Sequence, residues 1–419
     1  MSEKPDRPRE YDAVLGGTAP PPVEGVILGG IEGVKSRLAS AVVEARIAAL
    51  KEALKYGDAG LDLLIGALKD DSEQVQRYAS LLLRESAGLK GRQALLDYDP
   101  WLFFTTLENW KVENFDPKIG ITDPVGTAYA LRIENWRWEK EEASNLFKIL
   151  LNDPQASNLQ ALLCLLTNWG FSSIFVVGAL VAAKDQLTSL KAIFVGDEYD
   201  NEYKTSSVEL SDISPVLGAY PNLEVLQVRG RGYDDDGLAF SPRRHSRLKT
   251  LIVETGYMLR RETIDEICAL ELPALEYLEL WLGQDDKVYP HYYYYSEEED
   301  YPIEGSALNN LMPIISGELF PELKYLALRS SDYSDAIAEA IVNSPLLDRL
   351  KVLDLSMGTL TDQGAEALLK CPAINRLHTL NVSKNRLSAK MSQRLSKLKC
   401  RVISEPQDRD GDRYYFLHE

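Results

Sequence analysis

The residues able to carry chemistry are spread thinly along this chain of 419 residues. Its four histidines, His245, His291, His378 and His418, have no spacing that suggests a shared metal ion. The sequence contains no nucleophile elbow, phosphate-binding loop, HExxH zinc motif or dinucleotide fingerprint. Glycines occur in RGRGYDDDG (229–237), but three aspartates beside them would repel a phosphate. We therefore expect no catalytic residue, no resident metal and no cofactor, and a protein that is not an enzyme.

The acidic C-terminal tail is the nearest approach to a metal motif. Asp408, Asp410, Asp412 and Glu419 match the ligand spacing of a calcium loop. However, Arg413 stands where the sharp turn of such a loop requires glycine, and no second helix follows. The run RYYFLHE alternates like a strand, so the tail is interpreted as an acidic cap.

Tyrosines cluster beside acids in HYYYYSEEED (291–300), and related compositions occur at 196–203, 232–237 and 331–335. Each of these segments follows a predicted strand, so a stacked array would align them along one rim. Tyrosine offers large contact area at low entropic cost, which favours a binding rim. The alternative is that these acidic loops only keep the protein soluble. The predicted rim residues are Tyr199, Tyr203, Tyr233, Tyr257, Tyr292, Tyr293, Tyr294, Tyr295 and Tyr333.

Seven copies of L-x-x-L-x-L, with Ile or Val allowed, predict the elements that position these loops. They are LKAIFV (190–195), LEVLQV (223–228), LKTLIV (248–253), LEYLEL (275–280), LKYLAL (323–328), LKVLDL (350–355) and LHTLNV (377–382). One repeat cannot bury its apolar face alone, so stacked repeats build a continuous core. Helical stretches between the copies predict an α/β solenoid with parallel strands inside and helices outside.

This half of the chain resembles bacterial leucine-rich-repeat proteins of the ribonuclease-inhibitor-like class. The last copy continues as LHTLNVSKNRL, in which Asn385 occupies the position that ties strand to loop. PALEYLELWLG and LLDRLKVLDLSMGTLTDQGAEALL narrow the resemblance to one bacterial family of that class. It implies a horseshoe and a binding role, and it brings no catalytic residues.

Strand residues between the inward leucines point to the opposite face, the concave face of such a horseshoe. We expect an exposed row of aromatic and charged residues there that binds a ligand. The row consists of Phe194, Gln227, Arg229, Glu254, Tyr277, Glu279, Trp281, Tyr325, Arg329, Asp354 and Asn381.

The N-terminal part has a helical period. Two apolar helices are followed by D-x-x-x-V-x-R-x-A, carried by Asp71, Val75, Arg77 and Ala79. This pattern resembles a HEAT repeat, of the kind seen in cyanobacterial proteins that carry varied recognition domains behind it. The resemblance implies binding rather than chemistry.

Composition changes along the chain predict four regions. Residues 1–30 form a leader, 31–142 a HEAT-like module with an aromatic-rich extension, and 143–187 connecting and capping helices. Residues 188–419 form the leucine-rich-repeat domain, with an insert at about 284–305 and a C-terminal cap. The aromatic segment 97–140 is interpreted as core, without an assigned role.

Charge and cysteine usage limit the partners and the compartment. The formal charge of -18 would repel nucleic acid, so a basic or neutral protein or peptide is the expected partner. No segment predicts membrane insertion, and four widely spaced cysteines favour a reduced, cytoplasmic protein.

These features together predict a non-enzymatic scaffold that recognises a protein or peptide through its concave face and tyrosine rim. The alternative is an accessory subunit that holds the substrate of a peptide-modifying enzyme, because relatives of the horseshoe family are associated with such enzymes. A hydrolase built on scattered carboxylates has no motif in its favour.

Overall fold

The computed structural model describes residues 30–135, 139–167, 170–197, 208–231, 237–256, 258–283 and 308–407. The chain forms two compact units, which divide between Gly91 and Arg92. The predicted leader at 1–30 lies outside the described residues except for Gly30, and the tail from 408 onward also lies outside.

The first unit is helical in its described part. Its helices are α1 (Gly30–Leu38), α2 (Val43–Ala53), α3 (Gly57–Gly66) and α4 (Glu73–Glu85), and α5 (Gly88–Tyr98) crosses the boundary. Val75, Ala79 and Leu83 lie on one side of α4 and are fully buried, because a four-residue spacing places side chains on the same helix face. Two residues of the D-x-x-x-V-x-R-x-A pattern therefore face the core.

The second unit is built on one sheet of eleven strands, which follow one another in sequence order and pair in parallel. The strands are β1 (Lys111–Asn114), β2 (Thr127–Ile133), β3 (Ala161–Leu166), β4 (Ala192–Gly196), β5 (Val225–Arg231), β6 (Thr250–Gly256), β7 (Tyr277–Gly283), β8 (Tyr325–Ser331), β9 (Val352–Asp354), β10 (Thr379–Asn381) and β11 (Arg401–Ile403). An open, all-parallel sheet with sequential neighbours is consistent with a repeat solenoid.

Helices cover one side of this sheet, which we call the back face. They are α6 (Glu139–Leu151), α7 (Ile174–Ala183), α8 (Ser214–Ala219), α9 (Arg261–Cys268), α10 (Leu308–Ile315), α11 (Ser334–Ile341), α12 (Asp362–Lys370) and α13 (Ala389–Leu395). Their apolar residues and the leucines of the strands form one continuous buried cluster. Burying a leucine side chain stabilises a fold by about 1.5–3 kcal/mol, so this cluster is the main source of cohesion.

The seven L-x-x-L-x-L copies coincide with strands β4 to β10, and each strand begins two residues after the first leucine of its motif. In LEYLEL, for example, Leu275, Leu278 and Leu280 are all fully buried on the back face. The prediction of a parallel α/β repeat array is confirmed by this arrangement.

The sheet begins earlier in the sequence than the repeat motifs indicate. Strands β1 to β3 precede residue 188, and β3 lies within 143–187, which was predicted to be helical. The β3 sequence ALLCLL is buried at every position. A strand covered on both faces has no polar alternation, so its sequence cannot be told from a buried helix. No helix in the described ranges is long and apolar enough to span a bilayer.

Candidate functional site

The side of the sheet opposite the helices, which we call the front face, carries the predicted binding residues in register. Three rows cross the strands. The first contains Thr250, Tyr277, Tyr325 and Val352; the second contains Phe194, Gln227, Ile252, Glu279, Ala327, Asp354 and Asn381. The third pairs Arg229 with Glu254 and Trp281 with Arg329, and it lies nearest the C-terminal strand ends. Parallel register thus gathers residues from distant repeats into one surface.

The first row is covered by the chain itself. Residues 92–110, which we call the cis segment, lie along the front face and place Phe104 against the stacked rings of Tyr277 and Tyr325. The Phe104 ring meets each tyrosine edge-on, with ring centroids 5.5 Å apart. Such edge-to-face contacts are favourable because the positive ring edge meets the negative face of its partner. Phe104 is therefore a fully buried core residue.

Polar contacts fix the position of the cis segment. The Arg92 guanidinium donates to both carboxylate oxygens of Glu276, at 3.1 and 2.9 Å, and Glu276 also accepts from Lys324 at 2.8 Å. The Thr250 hydroxyl donates to the main-chain oxygen of Thr105 at 2.5 Å. The front face therefore holds this polypeptide through a side chain, a main-chain carbonyl and an aromatic ring.

Further along the cis segment, Leu107 and Trp110 cover the early strands, from β2 into the first repeat strands. They pack on a cluster that includes alanines of β2, β3 and β4 and also Phe194. Alanine side chains leave room for a large ring to approach the sheet closely. This explains why Phe194 has no solvent exposure.

Glu279 is the centre of the charged cluster, which we define as Arg229, Glu254, Glu279, Arg329 and Asp354. Its carboxylate accepts hydrogen bonds from the Tyr277 hydroxyl at 2.7 Å, Trp281 Nε1 at 2.7 Å and Arg329 Nη1 at 2.6 Å. The Arg329 guanidinium also lies over the Trp281 ring, 5.0 Å from its centroid. These contacts lock the carboxylate, the indole and the guanidinium in one geometry.

The remaining charges are paired across neighbouring strands. Arg229 donates to both oxygens of Glu254, at 2.8 and 3.2 Å, and Gln227 adds a third donor at 3.1 Å. Asp354 accepts from Asn381 at 2.9 Å and from the main-chain nitrogen of Ser356 at 2.8 Å. Each buried charge thus has partners, as burial requires.

The surroundings of Glu279 and Tyr277 shift the pKa values of these two groups in opposite directions. Burial alone would raise the pKa of Glu279, but the charge of Arg329 and the hydrogen bonds from Trp281 and Tyr277 outweigh it and lower the pKa. Burial and the negative charge of Glu279 raise the pKa of Tyr277 well above its ordinary value. Glu279 stays ionised and Tyr277 protonated at neutral pH, so neither is suited to proton transfer.

Within the described ranges, no group of three or more His, Cys, Asp or Glu side chains could hold a metal ion.

The expectation that the front-face residues form an exposed row is wrong. Ten of the eleven are less than a tenth exposed, including Trp281 at 2% and Tyr325 at 1%, and Arg329 is half-buried. The cis segment covers the first row, and the charges are satisfied by neighbouring strands. Their role in binding a ligand stays a prediction.

Of the predicted rim tyrosines, the structure describes one. Tyr333 is half-buried and packs against the back-face core. Tyr199, Tyr203, Tyr233, Tyr257 and the four tyrosines at 292–295 lie outside the described residues, as do His291, His418 and the acidic tail. The described histidines have structural contacts: His245 meets the Tyr220 main-chain oxygen, and His378 the Thr379 hydroxyl.

The interpretation of the aromatic segment as core agrees with the burial of Phe104, Leu107 and Trp110, but the surface that the cis segment covers was not predicted. WLFFTTLENW (101–110) carries apolar residues with neither a helical nor a strand period. A dense aromatic run without periodicity signals a segment that packs irregularly on another surface, because exposed aromatics would cost hydrophobic free energy. The sequence offered no means to identify that surface.

A second acidic position lies near the C-terminal ends of the early strands. Glu139, the first residue of α6, is 9% exposed, and its carboxylate accepts from the Ser172 main-chain nitrogen at 3.0 Å. Burial raises the pKa of Glu139 to about 7, because the nearby negative charge of Glu209 adds to the effect and the Ser172 bond offsets only part of it. This carboxyl group is thus half-protonated near neutral pH.

Replacing Glu139 by Gln should remove a pH dependence of stability. The pKa is higher in the folded than in the unfolded state, so the carboxyl favours folding below its ordinary pKa of 4.5. That contribution is lost as pH rises to about 7. Urea unfolding should show the Gln variant more stable than the intact protein at pH 8, by roughly 1–3 kcal/mol. The exposed Glu141→Gln on the same helix is the control, and equal profiles for all three proteins would contradict the assignment.

Comparisons with known proteins support the fold and do not identify a family or a function. A scan of protein-family models gives no match, and a search of curated proteins gives none either. The chain is similar to a crystal structure of a Bacteroides fragilis protein, with 26% sequence identity and a TM-score of 0.53. The similarity covers 68% of this chain and 75% of that one. It is consistent with a repeat solenoid.

Proposed function

We propose that this chain is a non-enzymatic scaffold that recognises a segment of a protein or peptide. The observation that supports it best is that the front face already holds a polypeptide segment, its own residues 92–110, through Phe104, the Thr105 carbonyl and Arg92. This surface binds a main-chain carbonyl, an aromatic ring and a cation of its own chain. The same kinds of contact could hold a segment of a partner.

We infer that the second unit is a leucine-rich-repeat array of the ribonuclease-inhibitor-like class. Asn385 supports this assignment, because it is fully buried and its amide donates to the main-chain oxygens of Leu355, Val382 and Ser383, at 2.8, 3.1 and 3.1 Å. Its side-chain oxygen accepts from Leu360 at 2.9 Å. One asparagine thus ties the end of β10 to the preceding repeat.

The helical pattern of the first unit supports a HEAT-like module. Arg46 on α2 pairs with Asp70 and Asp71, at 3.3 and 3.0 Å, in the turn that precedes α4. These ion pairs connect α2 to the acidic turn at the start of the D-x-x-x-V-x-R-x-A pattern. In the proposal this module positions the scaffold, and the second unit recognises the partner.

The partner would bind beside the cis segment, on the side nearest the C-terminal strand ends. Glu108 of the cis segment keeps an exposed surface, but the protein around its carboxyl removes part of the water, and this desolvation together with the negative charges of Asp99 and Glu279 raises the pKa of Glu108. A cationic side chain of a partner would relieve this repulsion. With a formal charge of -18 on the whole chain, a basic peptide is the favoured ligand.

A displayed random-peptide library selected on the intact chain tests this proposal. We expect enrichment of peptides that combine Lys or Arg with an aromatic residue. Glu108→Lys should weaken the selected peptides by roughly tenfold, mainly through slower association, because a charge at the edge of an interface steers encounter. Replacing 289–301 with a Gly-Ser linker should weaken them too if the tyrosine insert contributes.

Glu141→Lys is the matched control, since it makes the same charge change on exposed helix α6 of the back face. Selected peptides should bind this variant as tightly as the intact chain. A selection that enriches no sequence, or peptides weakened equally by Glu108→Lys and Glu141→Lys, would argue against recognition at the front face.

A further inference from the structure

The helix layer on the back face lacks a helix in the described part of the connection between β5 and β6. The described part of that connection, 237–249, contains no helix, whereas the neighbouring connections carry α8 and α9. A recess of about 310 Å³ lies between this loop and the end of α8, with Gly218, Arg243, Arg244 and Ser246 among its lining residues. This surface shares no residue with the front face.

The loop that lines the recess is basic in an acidic protein. SPRRHSR (241–247) places three arginines within seven residues of a chain whose formal charge is -18. Two acids pair with cations of this loop region, Glu271 with the exposed Arg244 at 3.1 Å and Glu224 with Lys249 at 2.6 Å. Three arginines and Lys249 against these two carboxylates leave the loop with a net positive charge.

Arg243 lacks the partners that a half-buried guanidinium normally has. Its Nε is buried and has no hydrogen-bond acceptor among the residues that the structure describes, and it forms no ion pair with them. The guanidinium lies against the Gly218 backbone, so closely that a Cβ there would be 2.1 Å from Nη1. An unpaired buried donor costs free energy, so this guanidinium is incompletely satisfied by the fold and gains from an acceptor that reaches its remaining N–H groups.

The imidazole of His245, in the same loop, is held by hydrogen bonds within the fold. His245 Nε2 lies 3.0 Å from the Tyr220 main-chain oxygen, and Nδ1 accepts from Leu248 at 3.0 Å. Burial lowers the pKa of His245, and the charge of Arg243 lowers it further. The imidazole is thus neutral and positions the loop, while Arg243 provides the charge that has no carboxylate partner among the described residues.

We propose that this recess binds a phosphate monoester group. Guanidinium groups donate paired hydrogen bonds that match phosphate oxygens, and Arg243 offers one whose charge has no carboxylate partner among the described residues. Arg244 would bind the same group by exchanging its contact with Glu271 for the more highly charged phosphate. The Ser246 hydroxyl provides a further donor or acceptor. A volume of about 310 Å³ leaves room for the group that carries the phosphate. An extended acidic peptide is less favoured, because the chain as a whole carries a formal charge of -18.

Calorimetric titration of the full chain tests this site, at constant ionic strength, with three probes. These are inorganic phosphate, a phosphoserine peptide and the same peptide without phosphate. We expect saturable binding of both phosphate probes and none of the third. Arg243→Gln and Arg244→Gln should each weaken binding by roughly tenfold or more, since each removes a charge-assisted hydrogen bond. Arg386→Gln, an exposed arginine elsewhere on the unit, should leave affinity unchanged.

The relative affinities identify the source of the phosphate. Tighter binding of the phosphopeptide indicates a phosphorylated protein, and tighter binding of inorganic phosphate indicates a small phosphorylated molecule. Arg243→Lys keeps the charge without the paired donors and should be intermediate, which preserves the test if the Gln variant does not fold. No saturable phosphate binding, or equal weakening by all variants including Arg386→Gln, would overturn the proposal.

Discussion

Replacing Phe104 by alanine is expected to lower the free energy of unfolding of the second unit by about 3–5 kcal/mol, the usual cost of removing a core phenylalanine. Phe104 has no solvent exposure and fills the space in front of the stacked Tyr277 and Tyr325. Its removal would leave a cavity between the cis segment and the sheet, and both tyrosines would lose their T-shaped contact with the Phe104 ring.

Tryptophan fluorescence during urea unfolding of the full chain isolates this effect. All six tryptophans lie in the second unit, at 101, 110, 136, 138, 169 and 281. The control is Phe175→Ala, a phenylalanine 37% exposed on α7, which should change stability far less. If both variants lose equal stability, the cis segment does not pack on the front face in solution.

Removing the Glu279 carboxylate should have a comparable effect for a different physical reason. Glu279→Ala leaves Arg329, Trp281 Nε1 and the Tyr277 hydroxyl without their shared acceptor. Breaking one side of a buried ion pair costs about 3–5 kcal/mol, because the other charge stays buried and unpaired. The lowered pKa of Glu279 keeps this contribution present at neutral pH, and it is lost only as pH falls below the ordinary value of 4.5.

A double-mutant cycle separates the loss of the pair from general disruption. Glu279→Ala combined with Arg329→Met should be less destabilised than the sum of the two single variants, with a coupling of about 1–3 kcal/mol. The exposed pair Glu366–Arg394 on the back helices is the control, and Glu366→Ala should leave the unfolding midpoint nearly unchanged. Additive effects in the Glu279 cycle would show that the charged cluster contributes no specific coupling.

The repeat strands could be predicted because their signal is local. Leu275, Leu278 and Leu280 show within six residues which face must be buried, and the same pattern recurs in every copy. Strands β1 to β3 lacked this signal. The β3 sequence is apolar at every position, so no alternation marks its period.

The arrangement of the front-face residues was only half predictable. Strand alternation correctly placed Tyr277, Glu279 and Trp281 on the face opposite the leucines, because side-chain direction follows from the two-residue period. Their exposure was wrong, since exposure depends on what packs over a face. A charged residue such as Glu279 is expected at the surface unless its partners are known.

By itself, then, the sequence determined the parallel repeat array and the direction of its side chains, because both follow from spacing within a few residues. Only the tertiary structure decided that residues 92–110 fill the front face and that its charges pair with one another. Thr250 and the Thr105 carbonyl that it binds are 145 residues apart in the chain. A periodic pattern specifies which face a side chain takes, but the segment that covers that face is selected by the folding of the whole unit.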